Sequence, residues 1–198
     1  MKIVGITGPS GSGKTLFTKY FCQMGVPTVD ADEVYHSMLI PPSECLDAIR
    51  ENFGDTVFCD DGTLNRVALG AVVFNDSEAL KLLNSTVLGM VLDRIRKMIS
   101  EAEARGETVI IIDGPTLIES GFHRECDTVI SVIAPTEDRI RRIMERDGIS
   151  EEKARERVRA QKDDSFYKDN SNAVLYNDST ADDFLTVIKS VESDILKI

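Results

Sequence analysis

Hydrophobic residues change their spacing several times along the chain, and each change marks a new kind of element. Lys2-Ile3-Val4-Gly5-Ile6 is a short unbroken apolar run, the form taken by a strand covered on both faces of a parallel sheet. Thr108-Val109-Ile110-Ile111-Ile112 and Thr128-Val129-Ile130-Ser131-Val132-Ile133 are two more, rich in β-branched residues. Gly25 to Asp32 predicts a turn and a short strand ending in acidic residues, and another short strand falls near Ala173-Val174-Leu175. Between these runs the apolar positions recur at helical spacing. A first helix follows from Leu16-Phe17 onward, and a second begins near Asp32 and stops at Pro41-Pro42. Ser43 caps a third that runs to about Asn52, and Phe53-Gly54 to Asp60-Asp61-Gly62 is a tight connection.

Residues 65–105 are helical almost throughout, with breaks predicted at Asn75-Asp76 and again near Gly89. Further helices are predicted from Thr136 to Arg146 and from Glu151 to about Lys162, the latter with Ser150 as N-cap and Glu151 and Glu152 in its first turn. Thr180 and Asp183 have the spacing of a capping box before a last helix from Ala181. Strands alternate with helices at both ends of the chain, around a helical middle. The expectation is an α/β fold: a three-layer parallel sheet flanked by helices, with a helical insertion.

One stretch narrows this further. Gly8-Pro9-Ser10-Gly11-Ser12-Gly13-Lys14-Thr15 fits G-x-x-x-x-G-K-[ST] between a predicted strand and a predicted helix, the context a P-loop requires. Close approach of backbone N–H groups to a polyphosphate needs bends and room, which Gly8, Gly11 and Gly13 supply. The helix that follows points its free N–H groups and positive dipole end at the anion. Lys14 can reach the β- and γ-phosphates, and the Thr15 hydroxyl can ligate Mg²⁺. The sheet is thus expected to be of P-loop NTPase type, its nucleotide-binding core formed by residues 1–32, 106–135 and 170–198.

Composition limits the partners. With 198 residues, 42% hydrophobic and 29% charged, the chain suits one α/β domain with an insertion. Its 34 acidic against 23 basic residues give a net charge of −11, which argues against a sequence-independent grip on nucleic acid. No apolar run approaches membrane-spanning length and no signal peptide is evident, so the expectation is a cytoplasmic protein without membrane contact. Cys22, Cys45, Cys59 and Cys126 are scattered, and with His36 and His123 they suggest neither a zinc site nor a disulfide framework.

Ligands of open α/β sheets bind beyond the carboxyl ends of the strands. Asp30 with Asp32, Asp113, and then Glu119 fall at such ends. Asp32 is the sharpest candidate for a carboxylate that orients a hydroxyl acceptor and takes its proton; the alternative is a helix cap, for it and for Asp30. Asp113 closes an apolar strand and could hold the water shell of Mg²⁺, or serve the turn Asp113-Gly114-Pro115. Arg139, Arg142 and Arg146 share one helical face, as do Arg155 and Arg159 on the next helix. Such a hairpin suits a lid that brings guanidinium groups to developing charge, against the alternative of solvated faces paired with Glu145, Glu151, Glu152 and Glu156.

Taken together, these stretches resemble the dephospho-coenzyme A kinase family from Ile3 to about Asn177. The resemblance is carried by Gly8 to Thr15, Val29-Asp30-Ala31-Asp32, Phe53-Gly54, Asp61-Gly62-Thr63-Leu64-Asn65-Arg66, Val73-Phe74, Leu83-Asn84, Asp113-Gly114-Pro115-Thr116-Leu117-Ile118-Glu119, and Arg142 through Arg146-Asp147-Gly148 to Gln161. It implies ATP-dependent phosphorylation of the ribose 3′-hydroxyl of dephospho-coenzyme A, with Mg²⁺. It further implies an acceptor-binding insertion over 33–105 and a lid over 136–169. Asp32 matches the family's proposed base, Lys14 and Thr15 its phosphate and magnesium ligands, and Arg142 falls in its lid, with Arg146 further along the same matching stretch. On the acceptor side it points to Asp32, His36, Arg66, Leu83, Asn84, Pro115, Leu117 and Glu119. The chain departs from the family pattern at Pro9, at His36 where a basic residue is usual, at Leu88-Gly89 where His-Pro is common, and at Lys162 to Tyr167. A nucleoside or nucleotide kinase of similar architecture and an ATP-sensing regulatory protein are the other readings.

Overall fold

A computed structural model describes residues 1–73 and 75–197; Phe74, one of the residues carrying the resemblance, lies outside the described residues. Strands β1 (Lys2–Thr7), β2 (Thr28–Asp30), β3 (Val109–Asp113), β4 (Thr128–Ile133) and β5 (Ala173–Tyr176) form one sheet in the order β2-β3-β1-β4-β5. Every pairing is parallel, with Gly5 opposite Ile112 on one side and Val129 on the other. All five residues of β3 are buried, as the β-branched run Val109 to Ile112 leads one to expect, and the burial extends to Asp113 at its end.

Helices α1 (Lys14–Gln23), α6 (Thr136–Asp147), α7 (Glu151–Arg159), α8 (Asp164–Asp169) and α9 (Ala181–Leu196) join this sheet in one compact unit, residues 1–30 with 101–198. Its main core packs Phe17 and Phe21 of α1 and Phe184 and Ile188 of α9 onto Val4, Ile6, Ile111, Ile130 and Val132. Ser150 caps α7 by accepting from Lys153 N–H, and Thr180 with Asp183 forms a reciprocal capping box on α9.

The second unit, residues 31–100, is helical. It holds α2 (Ala31–Met38), α3 (Glu44–Phe53), α4 (Arg66–Val73) and most of α5 (Ser77–Ala104), whose last residues belong to the first unit. Its own core gathers Leu39, Cys45, Leu46, Ile49, Val57, Leu69 and Val73. Ser43 caps α3 by accepting from Cys45 and Leu46 N–H.

Two expectations need correction. The helix does not break near Gly89: α5 is continuous, because Gly89 lies on an exposed face. A glycine there costs only about 1 kcal/mol, and buried Val91 and Ile95 just beyond it hold the helix. The short helix α8 was not expected. Asp163 nucleates it by accepting from Phe166 N–H, and Tyr167 buries against Ile118 and Ile133. Six residues are too few to display helical periodicity in a sequence. All four cysteines are free thiols.

Candidate active site

The phosphate-loop motif bridges the end of β1 and the start of α1, and its glycines are held from outside. Gly8, Gly11 and Gly13 have φ of +138°, +77° and +107°, in or near the left-handed region that side chains resist. A Cβ would also lie 2.2 Å from Val132 O at Gly8, 2.7 Å from Arg139 O at Gly11 and 2.2 Å from Asn177 Nδ2 at Gly13. Gly13 is the N-cap of α1 and offers no side-chain acceptor, so the helix dipole opens onto the loop without a capping oxygen. Lys14 lies back along the loop and donates to Gly8 O at 2.7 Å and Pro9 O at 3.3 Å; Thr15 stands exposed beside it.

Helix α6 turns its arginine face onto this loop. Arg139 is buried, donating through Nε to Ser10 O at 3.1 Å and through an Nη to Gln161 Oε1 at 2.7 Å. Burial pushes its pKa down, while Asp164 and Tyr167 oppose that shift. Arg142 donates to Gly11 O at 3.2 Å and to Asn177 Oδ1 at 3.3 Å, and Asn177 itself donates to Ser12 O at 2.8 Å. Arg146 reaches Ser10 Oγ at 3.4 Å and is held by Asp147, which also pairs with Arg157. Arg155 instead forks onto Glu137 and also pairs with Glu151, so the solvated-face reading describes that residue.

On the other side of β1, Asp113 is buried at the end of β3 and is the register partner of both Ile6 and Asp30. Pro115 follows, half-buried, and its carbonyl lies 3.5 Å from the Thr7 hydroxyl. Leu117 is buried against Gly5, where it fills the space a Cβ would take, and Glu119 is exposed. Leu117 therefore supports the sheet from within.

In the helical unit, Asp32 stands exposed in the first turn of α2 and His36 in its last, the His36 ring against Tyr35. Arg66 opens α4, exposed; Leu83 packs on that unit's core, and Asn84 faces outward from α5. The first unit thus assembles Gly8 to Thr15, Arg142 and Arg146, while Asp32, His36, Arg66, Leu83 and Asn84 belong to the second.

Sequence reasoning placed Arg139 on the arginine face of the lid but did not single out Gln161 and Asn177 as parts of this site. Helical spacing does align Arg139 with Arg142 and Arg146, whereas Gln161 and Asn177 follow their elements in irregular chain, where no period points to them.

The sequence profile of the family described as Dephospho-CoA kinase matches residues 2–183, from β1 into α9. The chain belongs to the dephospho-CoA kinase family. A dephospho-CoA kinase of Shouchella clausii is 35% identical over 177 residues, covering 89% of this chain and 90% of that one. One from Corynebacterium glutamicum is 32% identical over 192 residues, covering 97% and 98%. Among solved structures, TT1252 from Thermus thermophilus superposes with a TM-score of 0.80 at 30% identity, covering 99% of this chain and 98% of that one. Dephospho-CoA kinases are ATP-dependent enzymes that phosphorylate an alcohol group in the last step of coenzyme A biosynthesis. The parallel sheet and its flanking helices are of the P-loop kinase type that this family shares.

Proposed function

We propose that the chain transfers the γ-phosphoryl group of ATP to the ribose 3′-hydroxyl of dephospho-coenzyme A, with the loop from Gly8 to Thr15 as the nucleotide's phosphate site. The observation that carries this assignment is the uncapped N-terminus of α1 behind a loop braced by Arg139, Arg142 and Arg146. Backbone N–H groups there meet the polyphosphate, and Lys14 exchanges its carbonyl partners for β- and γ-phosphate oxygens. Arg142 and Arg146 add positive charge from α6 without relying on the acidic surface.

Mg²⁺ fits the donors present: a hydroxyl at Thr15 and a buried carboxylate at Asp113, with Asp30 as its register partner. Hard oxygen ligands few in number suit an ion that keeps much of its water and takes phosphate oxygens for the rest. When bound, it offsets charge on the β- and γ-phosphates.

Asp32 is assigned the proton of the acceptor hydroxyl. It follows Asp30 by two residues, and two residues of chain span at most about 7 Å, so its backbone stays within that reach of the sheet's carboxyl edge. A carboxylate there orients the hydroxyl and takes its proton as the phosphoryl group arrives. The remaining acceptor contacts are assigned to His36, Arg66, Leu83 and Asn84 in the helical unit and to Pro115 and Glu119 beyond β3, with Leu117 supporting that last segment from its buried place against Gly5. Residues 33–105 then serve as the acceptor-binding insertion, and 136–169 as the lid.

The test is ADP release by purified protein with Mg²⁺ and ATP, using dephospho-coenzyme A, adenosine, cytidine, uridine, AMP or no acceptor. Turnover confined to dephospho-coenzyme A is expected. Turnover with a nucleoside instead would transfer the assignment to a different acceptor, and ATP binding without transfer to any of them would make the loop a sensor.

A further inference from the structure

Ser10 is tied at both of its backbone groups. Its N–H donates to Gln161 Oε1 at 3.1 Å, and its carbonyl accepts from Arg139 Nε at 3.1 Å. The ring closes through Arg139, whose Nη donates to the same Gln161 oxygen at 2.7 Å. Three segments meet here: the phosphate loop, the first turns of α6, and the chain just past α7. One amide oxygen therefore takes two donors, and one guanidinium serves two acceptors.

We propose that Gln161 and Arg139 are positioning residues for ATP binding, a clamp that fixes the Ser10 peptide so that the loop meets the phosphates already shaped. This rests on the reading of Gly8 to Thr15 as the nucleotide's phosphate site. Burying a guanidinium whose hydrogen-bond acceptors are both neutral is costly even with the Asp164 charge acting on it, and Arg139 is 4% exposed. Apolar residues would pack a helix start at lower cost. A planar fork does what they cannot: it holds a carbonyl and an amide oxygen at fixed angles to each other. The clamp also decides which amides face the ligand. Ser10 N–H is turned toward Gln161, and Ser12 N–H toward Pro9 O at 3.2 Å, so the nest is left to the amides on the α1 side of the loop. Gln161 contributes at a distance from the phosphates, by sparing ATP the ordering of the loop.

The experiment uses the full chain and compares Gln161→Leu, which keeps the volume and removes the acceptor, with Gln161→Glu, which restores an oxygen for both donors. ATP affinity is measured by titration calorimetry, steady-state constants for both substrates by ADP release, and Tm alongside. Gln161→Leu is expected to raise Kd and KM for ATP about tenfold, with the KM for dephospho-coenzyme A unchanged. Gln161→Glu is expected to return ATP affinity to within about threefold of the unmodified chain. Should the leucine variant not fold, Gln161→Asn replaces it, with the amide retained but too short to meet both donors. Unchanged ATP affinity in the leucine or asparagine variant would overturn the clamp. So would equal weakening in the acceptor-lacking and Glu variants, or equal losses for both substrates with a lowered Tm. If the unmodified chain binds no ATP, the phosphate-site reading fails first, and this inference falls with it.

Discussion

Asp30 and Asp113 stand side by side as register partners, each the last residue of its strand at the carboxyl edge of the sheet. Adjacent parallel strands run about 4.8 Å apart, so two carboxylates share one small region in which a divalent cation would offset their repulsion. Asp113→Asn is expected to raise the Mg²⁺ concentration needed for half-maximal turnover about tenfold, with a smaller change for Asp30→Asn. Titrating Mg²⁺ at fixed ATP checks this. Equal Mg²⁺ dependence in Asp113→Asn and the unmodified chain would return Asp113 to a turn-forming role.

Asp32→Asn keeps the shape of the side chain and removes its capacity to take a proton. Loss of a general base lowers kcat by about a hundredfold or more, while ATP affinity, read by calorimetry, should stay within about threefold. A variant that retains most of its kcat would show that Asp32 serves α2 as a first-turn carboxylate and no more.

Gly13→Ala meets two obstacles together, a φ of +107° and the Asn177 amide 2.2 Å from the new methyl. Strain of this kind costs about 2 kcal/mol, which for a domain of this size lowers Tm by about 4–8 °C. ATP binding should be lost with it, because the loop and α1 move together. Thermal unfolding and calorimetry on the same sample decide whether the two losses coincide.

Asp147 links Arg146 to Arg157, and their hydrogen bonds, Arg146 first, hold its carboxyl down at about 2. A carboxylate depressed in the folded state contributes stability that is present above its unfolded pKa and is lost as pH falls through the folded value. The Tm advantage of the unmodified chain over Asp147→Asn should therefore be nearly full above about pH 4, shrink as pH falls toward 2 and vanish below it. Melting curves across that range, compared between the two proteins, test it. A difference that stays constant would mean the pairing adds nothing to the fold.

Much of this was legible in the sequence because it depends on local pattern. The strands at Ile3, Ile110 and Ile130 announce themselves by unbroken apolar runs, and the caps at Ser43, Ser150 and Thr180 by residue type and spacing. The phosphate loop is a contiguous motif, so its place between β1 and α1 followed directly. What supports the loop is not contiguous. Gln161 and Asn177 reach Ser10 and Ser12 across more than 150 residues, and only the folded sheet brings them there. Gly89 misled for a related reason: propensity marks it as a breaker, but Val91 and Ile95 bury enough surface to override a single exposed glycine. Leu117 likewise reads as part of a loop motif, and its burial against Gly5 depends on which face of β1 the following turn covers.

The three loop glycines are crowded by different kinds of neighbour, and this makes their genetics unequal. At Gly8 and Gly11 the obstructing atoms are the carbonyls of Val132 and Arg139, which every residue type carries. No second substitution can remove them, so a lesion at either position has no local suppressor. At Gly13 the obstruction is the Asn177 side chain, which a shorter residue would withdraw. Selection for restored growth from a Gly13→Ala parent should therefore return changes at Asn177 as partial suppressors, the backbone strain at φ +107° remaining, and the same selection from Gly8→Ala or Gly11→Ala should return only reversion to glycine.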